Sequence, residues 1–189
     1  MGKLVVTEFI SLDGVMEDPG GAEDYVHGGW TFTFDFGEDG GAFKFEELMA
    51  ADAQLLGRVT YQGFAKAWPT MEGTGEFGVK MNSMPKFVVS RTLTSADWEN
   101  STILSGDLAE EVAALKDRYD NVLVAGSARL AQGLLAADLV DELRLVVFPI
   151  LLGTGKKLFA DGADLRRFEL IETRQASDVA LQTYRRKRD

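Results

Sequence analysis

Strict alternation opens the chain. Leu4, Val6, Glu8 and Ile10 share one face of a strand over residues 3–11, and Val5, Thr7 and Phe9 share the other, before Asp13-Gly14 turns the chain. A helical period follows at 43–51, with Phe43, Leu48 and Met49 apolar and Glu46 and Glu47 polar. Short apolar runs at 53–56, 86–91, 102–104 and 121–125 predict buried strands. Helices are predicted from residue 58 through Phe64, ended by Ala67-Trp68-Pro69, then from Asp107 to Tyr119, and over 128–139. Asp107 is a natural N-cap with Glu110 at capping-box spacing, and Leu108, Val112, Leu115 and Tyr119 form one stripe. Strands at 142–151 (broken by Pro149), 168–177 and 179–185 close the chain. This order predicts an α/β fold, a mostly parallel central sheet flanked by helices with antiparallel strands at the C-terminal edge. No repeat or linker interrupts it, so residues 1–189 are expected to form one domain.

Two strand-to-helix passages run through glycine. One is Gln54-Leu55-Leu56-Gly57-Arg58-Val59-Thr60-Tyr61; the other is Val122-Leu123-Val124-Ala125-Gly126-Ser127, followed by Leu130 and Leu134. Glycine at such a junction brings backbone N–H groups close to a ligand over the strand end, where the helix dipole favours phosphate. Two junctions, with Arg58 beside one, predict a phosphate-rich cofactor held from two sides. Residues 18–41 break the rhythm with many glycines between Tyr25, Trp30, Phe32, Phe34 and Phe36. That segment is too long for an ordinary connection and too aromatic for a linker, so it reads as a binding loop or lid.

Composition narrows the chemistry. With no cysteine and His27 the only histidine, thiol catalysis, disulfides, cysteine-ligated zinc and multi-histidine metal sites are excluded. No metal is expected, since no acidic calcium loop is visible either. A net charge of -10 repels nucleic acid, and the only basic block is Arg185-Arg186-Lys187-Arg188, which reads as a solvated end. Small anions remain feasible where Arg58, Arg91 and Lys156 converge. The longest apolar stretch, 145–152, is too short to cross a membrane. No signal-peptide core follows Met1, and Val6 stands where a myristoylation motif has Ser or Thr. A cytoplasmic location is expected.

Gly57-Arg58-Val59-Thr60-Tyr61 is similar to the Gly-Arg-x-Thr-(Tyr/Trp) segment of dihydrofolate-reductase-like enzymes. The resemblance implies that Gly57, Arg58, Thr60 and Tyr61 hold the phosphates of NADPH. It also implies that Ser90 and Arg91 meet the adenosine 2′-phosphate, and that nicotinamide and pyrophosphate pass Gly126, Ser127 and Leu130. Within that superfamily the chain resembles the reductase domain of riboflavin biosynthesis in its stand-alone form. Three segments carry this: Ser11-Leu12-Asp13-Gly14-Val15, the run 139–145, and Phe148-Pro149 through Gly153-Thr154-Gly155-Lys156-Lys157-Leu158-Phe159. The implied activity is NADPH-dependent hydride transfer to a flat heterocycle, like that of 5-amino-6-(5-phosphoribosylamino)uracil reductase. Asp13 would orient or protonate the substrate, beside Trp30 and Phe64. A homodimer through the long strand 142–151 and the terminal strands is implied as well.

Several of these residues also carry a plainer reading. Arg58 could be a surface ion pair, Ser90-Arg91 a strand end, Asp13 a turn cap, and Gly153–Lys156 a structural hairpin. Trp30 is either a hydrophobic plug or a stacking wall. Departures from the family bear on the substrate. The first loop is acidic (Glu17, Asp18, Glu23, Asp24), where a phosphorylated pyrimidine calls for cations. Folate reductases carry an acid in the first long helix, and Glu46 and Glu47 differ in their spacing to Gly57. The alternatives are a non-catalytic nucleotide-binding or regulatory protein of the same fold, and a dihydrofolate-reductase-like or detoxifying reductase.

Overall fold

The computed structural model describes residues 2–188, so Met1 and Asp189 of the expected domain span lie outside it. Strands β1 (Lys3–Ser11), β2 (Ala53–Gly57), β3 (Lys86–Val89), β4 (Ser101–Leu104), β5 (Asn121–Val124), β6 (Glu142–Phe148), β7 (Phe168–Ala176) and β8 (Val179–Arg186) form one sheet. Its order is β4-β3-β2-β5-β1-β6-β8-β7. The first six strands in that order are parallel, and β8 runs antiparallel to β6 and β7. This is the predicted α/β arrangement.

Period-two alternation sorts the core into two layers. Leu4, Val6 and Ile10 of β1 pack with Val112 and Leu115 of α4 (Leu108–Arg118) and with Ala131 and Leu134 of α5 (Ala128–Ala136). Val5 faces the other way, toward Leu48 of α1 (Gly37–Met49), Tyr61 of α2 (Arg58–Ala67) and Met81 of α3 (Gly75–Ser83). Thus β1 and β2 lead into helices on one face, whereas β5, lying between them, leads into a helix on the other. That reversal is a topological switch point, the place where open α/β sheets bind ligands at their C-terminal edge. The register opens a crevice there. Pairing of β1 with β5 ends at Val6↔Val124, while pairing with β6 continues to Ser11↔Phe148.

Four local features depart from the sequence pattern. Helix α3 was not predicted, because Gly75 and Gly78 dilute a stripe carried only by Phe77 and Met81. Helix α1 begins at Gly37, ahead of its apolar period, with the Asp35 carboxylate accepting the Gly37 N–H at 2.8 Å and Glu38 and Asp39 in the first turn. Strand β6 ends at Phe148, since Pro149 donates no ladder hydrogen bond. The 153–159 segment is no hairpin of its own; it joins the 11–16 turn through the Val15↔Lys157 bridge and the Met16 N–H to Lys156 O bond. The Asp107 cap forms as predicted, accepting the Ala109 and Glu110 N–H groups, but Glu111 closes the reciprocal bond, to Gly106 N–H. Among the described residues no helix is long and apolar enough to cross a membrane, and no group of three His, Cys, Asp or Glu could hold a metal.

Candidate active site

The two glycine junctions touch. Gly57 N–H donates to Gly126 O at 3.2 Å. A Cβ on Gly57 would stand 1.9 Å from Ser127 Oγ, and one on Gly126, whose φ is +74°, would stand 2.5 Å from Thr60 Oγ1. Glycine is therefore required at both positions by contact, and at Gly126 also by conformation. The residues at the starts of α2 and α5, Gly57 and Ser127, supply no side-chain cap, in contrast to Asp107 at α4. The first amides of both helices thus have no side-chain acceptor at the point where the junctions touch, a donor set suited to a diphosphate.

Cations surround this row of amides. Arg58 is exposed and spends one N–H on Gln62 at 2.9 Å. Arg129 stands exposed in the first turn of α5, and Arg91 just beyond β3. Ser90 Oγ accepts the N–H groups of Thr92 (3.2 Å) and Leu93 (2.9 Å), curling the chain so that Arg91 projects at the sheet edge. Among the described residues, neither Arg58 nor Arg91 is paired with a carboxylate, so both fit an anionic group.

Where β1 outruns β5, a second cluster appears. Glu8 is 9% exposed, and its Oε1 accepts the Gly126 N–H at 2.7 Å. Burial pushes its pKa up to about 8, with the Gly126 bond opposing. On the α1 side, Thr7 Oγ1 lies 2.8 and 2.9 Å from the two Glu47 oxygens, and Lys44 Nζ ion-pairs with Glu47 and reaches Thr7 Oγ1 at 2.7 Å. The same ammonium lies 5.1 Å from the Phe9 ring, which meets Phe36 edge-on at 6.2 Å. Polar anchors and an aromatic wall thus line one side of the crevice.

Uncapped paired junctions at a switch point, a buried carboxylate beside them and an α/β sheet with this strand order can be compared with known proteins. The RibD C-terminal domain family matches residues 2–181. The chain belongs to that family. An uncharacterized Bacillus subtilis protein, YyaP, is 28% identical over 184 residues, covering 95% of this chain and 92% of its own. The structure of a putative riboflavin biosynthesis protein from Shewanella superposes with a TM-score of 0.78 at 25% identity, covering 98% of this chain and 99% of that one. The Thermotoga maritima deaminase/5-amino-6-(5-phosphoribosylamino)uracil reductase gives 0.63 at 16% identity, with 98% of this chain spanning 57% of that protein. Dihydrofolate reductase from Enterococcus faecalis, solved with NADP(H), gives 0.57 at 15% identity, covering 99% and 98%. The dihydrofolate-reductase-like architecture is thereby shown.

Within this RibD-type fold, the other residues singled out in the sequence take definite places. Asp13 is a clamp: its carboxylate accepts from Ser11 Oγ at 2.7 Å, Leu152 N–H at 3.1 Å and Gly153 N–H at 2.7 Å. The Ser11 bond, with the two amides, holds its pKa down to about 2, which makes it a poor proton donor at neutral pH. Trp30 is the plug, 4% exposed, its Nε1–H on Glu17 O and its ring edge-on to Phe148 at 5.3 Å. Tyr61 is 3% exposed, its hydroxyl accepting the Trp98 N–H at 3.1 Å, and Leu130 belongs to the α5 core. Phe64 packs edge-on against Trp68 at 6.3 Å on the far flank of α2, away from the aromatic loop. An open groove of about 790 Å³ is lined by Gln62, Lys66, Asn82 and Asp97. It does not cover the junctions, where the donor groups are. The acidic loop is also largely spent on structure. Glu17 and Glu23 pair with Lys156, and Asp18 caps the Ala22 and Glu23 amides.

Sequence reasoning missed buried Glu8 and, on the other face of β1, the cluster of Thr7, Lys44 and Glu47. One signal was present: Glu8 occupies the face that Leu4, Val6 and Ile10 bury, where a carboxylate needs a reason.

Proposed function

We propose that this RibD C-terminal domain protein is a cytoplasmic reductase that uses NADPH to reduce a flat, conjugated heterocycle at a C=N or C=O carbon. The supporting observation is the contact of two uncapped helix N-termini across Gly57 and Gly126. Amides at the starts of α2 and α5 would hold the diphosphate, with Arg58 and Arg129 beside them. Ser90 and Arg91, one strand further out at the end of β3, would hold the 2′-phosphate that distinguishes NADPH from NADH. When bound, the cofactor supplies the hydride. The chain's own part is to orient the acceptor and keep water out of the crevice, through Phe9 and Phe36 on the α1 side. The acceptor class is taken from the structural likeness to the Thermotoga maritima deaminase/5-amino-6-(5-phosphoribosylamino)uracil reductase, which supports it.

Titration with NADPH, followed by intrinsic fluorescence and thermal stability, tests this reading. Saturable binding with a rise in melting temperature is expected; no binding at near-millimolar NADPH refutes it. NADPH oxidation with pyrimidine, pteridine and flavin acceptors then identifies the substrate class, and binding without turnover of any acceptor would favour a regulatory role. Assembly belongs to the same proposal. Edge strand β7 leaves Leu170 and Ile171 exposed, and a homodimer through this edge would cover them. A monomeric mass by light scattering would remove that part.

A further inference from the structure

Building on the NADPH reading, we propose that Glu8 is the proton donor. Its carboxyl, held in the β1–β5 crevice by the Gly126 amide, delivers a proton to the nitrogen or oxygen of the C=N or C=O bond whose carbon is reduced. Three observations converge on it. It stands at the switch point, on the strand that continues past β5. Its Oε1 is fixed by Gly126 N–H at 2.7 Å, while Oε2 has no hydrogen-bond partner among the described residues and keeps some solvent contact. The one cation that acts on it, Lys44, is already paired with Glu47.

The groups facing Glu8 are few. From the other face of β1, helix α1 brings the charges of Lys44 and Glu47, which pair with each other and share Thr7. Strand β6 sets Leu145 opposite it, and α5 presents Ala128 and Leu130 to the same apolar core as Val6 and Ile10. Burial therefore outweighs the Gly126 bond and the Lys44 charge, and Glu8 stays protonated at neutral pH. In that form the carbonyl oxygen still accepts the amide, and the O–H is left for the crevice. Phosphate charges placed on the adjacent junctions favour the neutral form further.

The step balances simply. A hydride from NADPH, whose donor C–H bond breaks to leave NADP+, would complete a new C–H bond at the acceptor carbon, the π pair moves onto the heteroatom, and the heteroatom takes the Glu8 proton. Glu8 is left as a carboxylate still accepting Gly126 N–H, and it is reprotonated from solvent through its exposed edge. Asp13 cannot serve this step, being ionised and triply hydrogen-bonded.

The test is Glu8→Gln, which keeps an acceptor for Gly126 and removes the acid. In wild-type protein without cofactor, infrared difference spectra should show a carboxylic-acid band at pH 7 that disappears with a midpoint near 8. The variant should lack it; absence of the band in wild type, or its survival in the variant, overturns the proposal. The variant should bind NADPH within about twofold of wild type, whereas turnover of any acceptor that wild type reduces should fall roughly 10²–10⁴-fold. Wild-type kcat/KM should decline above pH 8. Unchanged turnover overturns the donor role, and a folded variant that no longer binds NADPH makes Glu8 a cofactor-positioning residue instead. Failure of wild type itself to bind NADPH overturns the cofactor reading, a result the infrared band does not share.

Discussion

Gly57→Ala tests the closeness of the two junctions on which the cofactor reading stands. The added Cβ would meet Ser127 Oγ at 1.9 Å, Ser127 N at 3.0 Å and Ser127 Cβ at 3.1 Å, against ordinary contacts that begin at 3.4 Å. The hydroxyl can rotate aside, but the other two atoms belong to the start of α5. The ends of β2 and β5 must therefore part by about 0.4 Å. Strain of this kind costs about 1–3 kcal/mol in a packed interior. For a chain of this size, 2 kcal/mol lowers the melting temperature by roughly 4–8 °C. Adding Ser127→Gly removes two of the three close atoms and should recover part of the loss, with a coupling of at least about 0.5 kcal/mol. An internal control is available in the next helix. Gly63, inside α2, has open space where its Cβ would go, so Gly63→Ala should stabilise by about 0.5–1 kcal/mol through helix propensity. Differential scanning calorimetry and urea unfolding of these three variants, with Ser127→Gly alone to close the cycle, provide the comparison, and NADPH titration of Gly57→Ala should show weaker binding than wild type. Should Gly57→Ala melt with wild type, or should the second substitution return nothing, the junctions are not in contact and the two-sided phosphate site loses its basis.

Arg91→Ala should weaken NADPH several-fold while leaving NADH nearly unchanged, and Arg58→Ala should weaken both; equal losses of the two cofactors in Arg91→Ala would remove it from the 2′-phosphate. Asp13→Asn should loosen the 152–153 segment and cost about 1 kcal/mol at pH 7, a modest figure because the carboxylate is partly solvated. Because the folded state depresses Asp13 from 3.8 to about 2, that contribution is present above the unfolded value and is lost as pH falls through 2; urea midpoints at pH 7 and pH 2 should therefore converge between wild type and variant. A gap that persists at pH 2 would refute the clamp. Lys86→Met should cost about 2–3 kcal/mol, since the buried ammonium donates to Asn82, Met84 and Glu99 carbonyls and lies 4.3 Å from the Trp98 ring. Burial lowers Lys86 from 10.5 to about 8, so the unfolded chain holds more protons between those values, and wild-type stability should rise relative to the variant across that window. A parallel pH course for the two proteins would count against it.

Elements with a clean period were legible in the sequence and those built from tertiary contact were not. Alternation in β1 and the stripe of α4 each arise from one buried face, so the chain displays them directly. Helix α3 lacks such a stripe: of its nine residues only Gly78 and Met81 are buried, and it exists because Met81 and Phe77 find Trp68 and Trp98 across the chain. Residues 18–41 show the same limit. Their aromatics were visible, but whether they roof a ligand or fill the core depended on Phe148, more than a hundred residues away, against which Trp30 and Phe34 pack.

The two carboxylates on either side of the first turn show why motif and chemistry can separate. Asp13 sits in a recognisable Ser-Leu-Asp-Gly turn, and such turns are recognisable because their side chains satisfy local amides. The bonds that make Asp13 conspicuous, from Ser11, Leu152 and Gly153, also fix its charge and deny it a transferable proton. Glu8 has no motif around it. The role proposed for it rests on what the fold withholds: most of its solvent by burial, a free cation by Lys44 engaging Glu47, and any hydrogen-bond donor beyond the Gly126 amide among the described residues. A proton donor for neutral pH needs that deprivation. The residue to look for in such a chain is therefore the carboxylate on a buried strand face that no local rule explains, and here only Glu8 meets that description among the acidic residues of β1 and the turn that follows it.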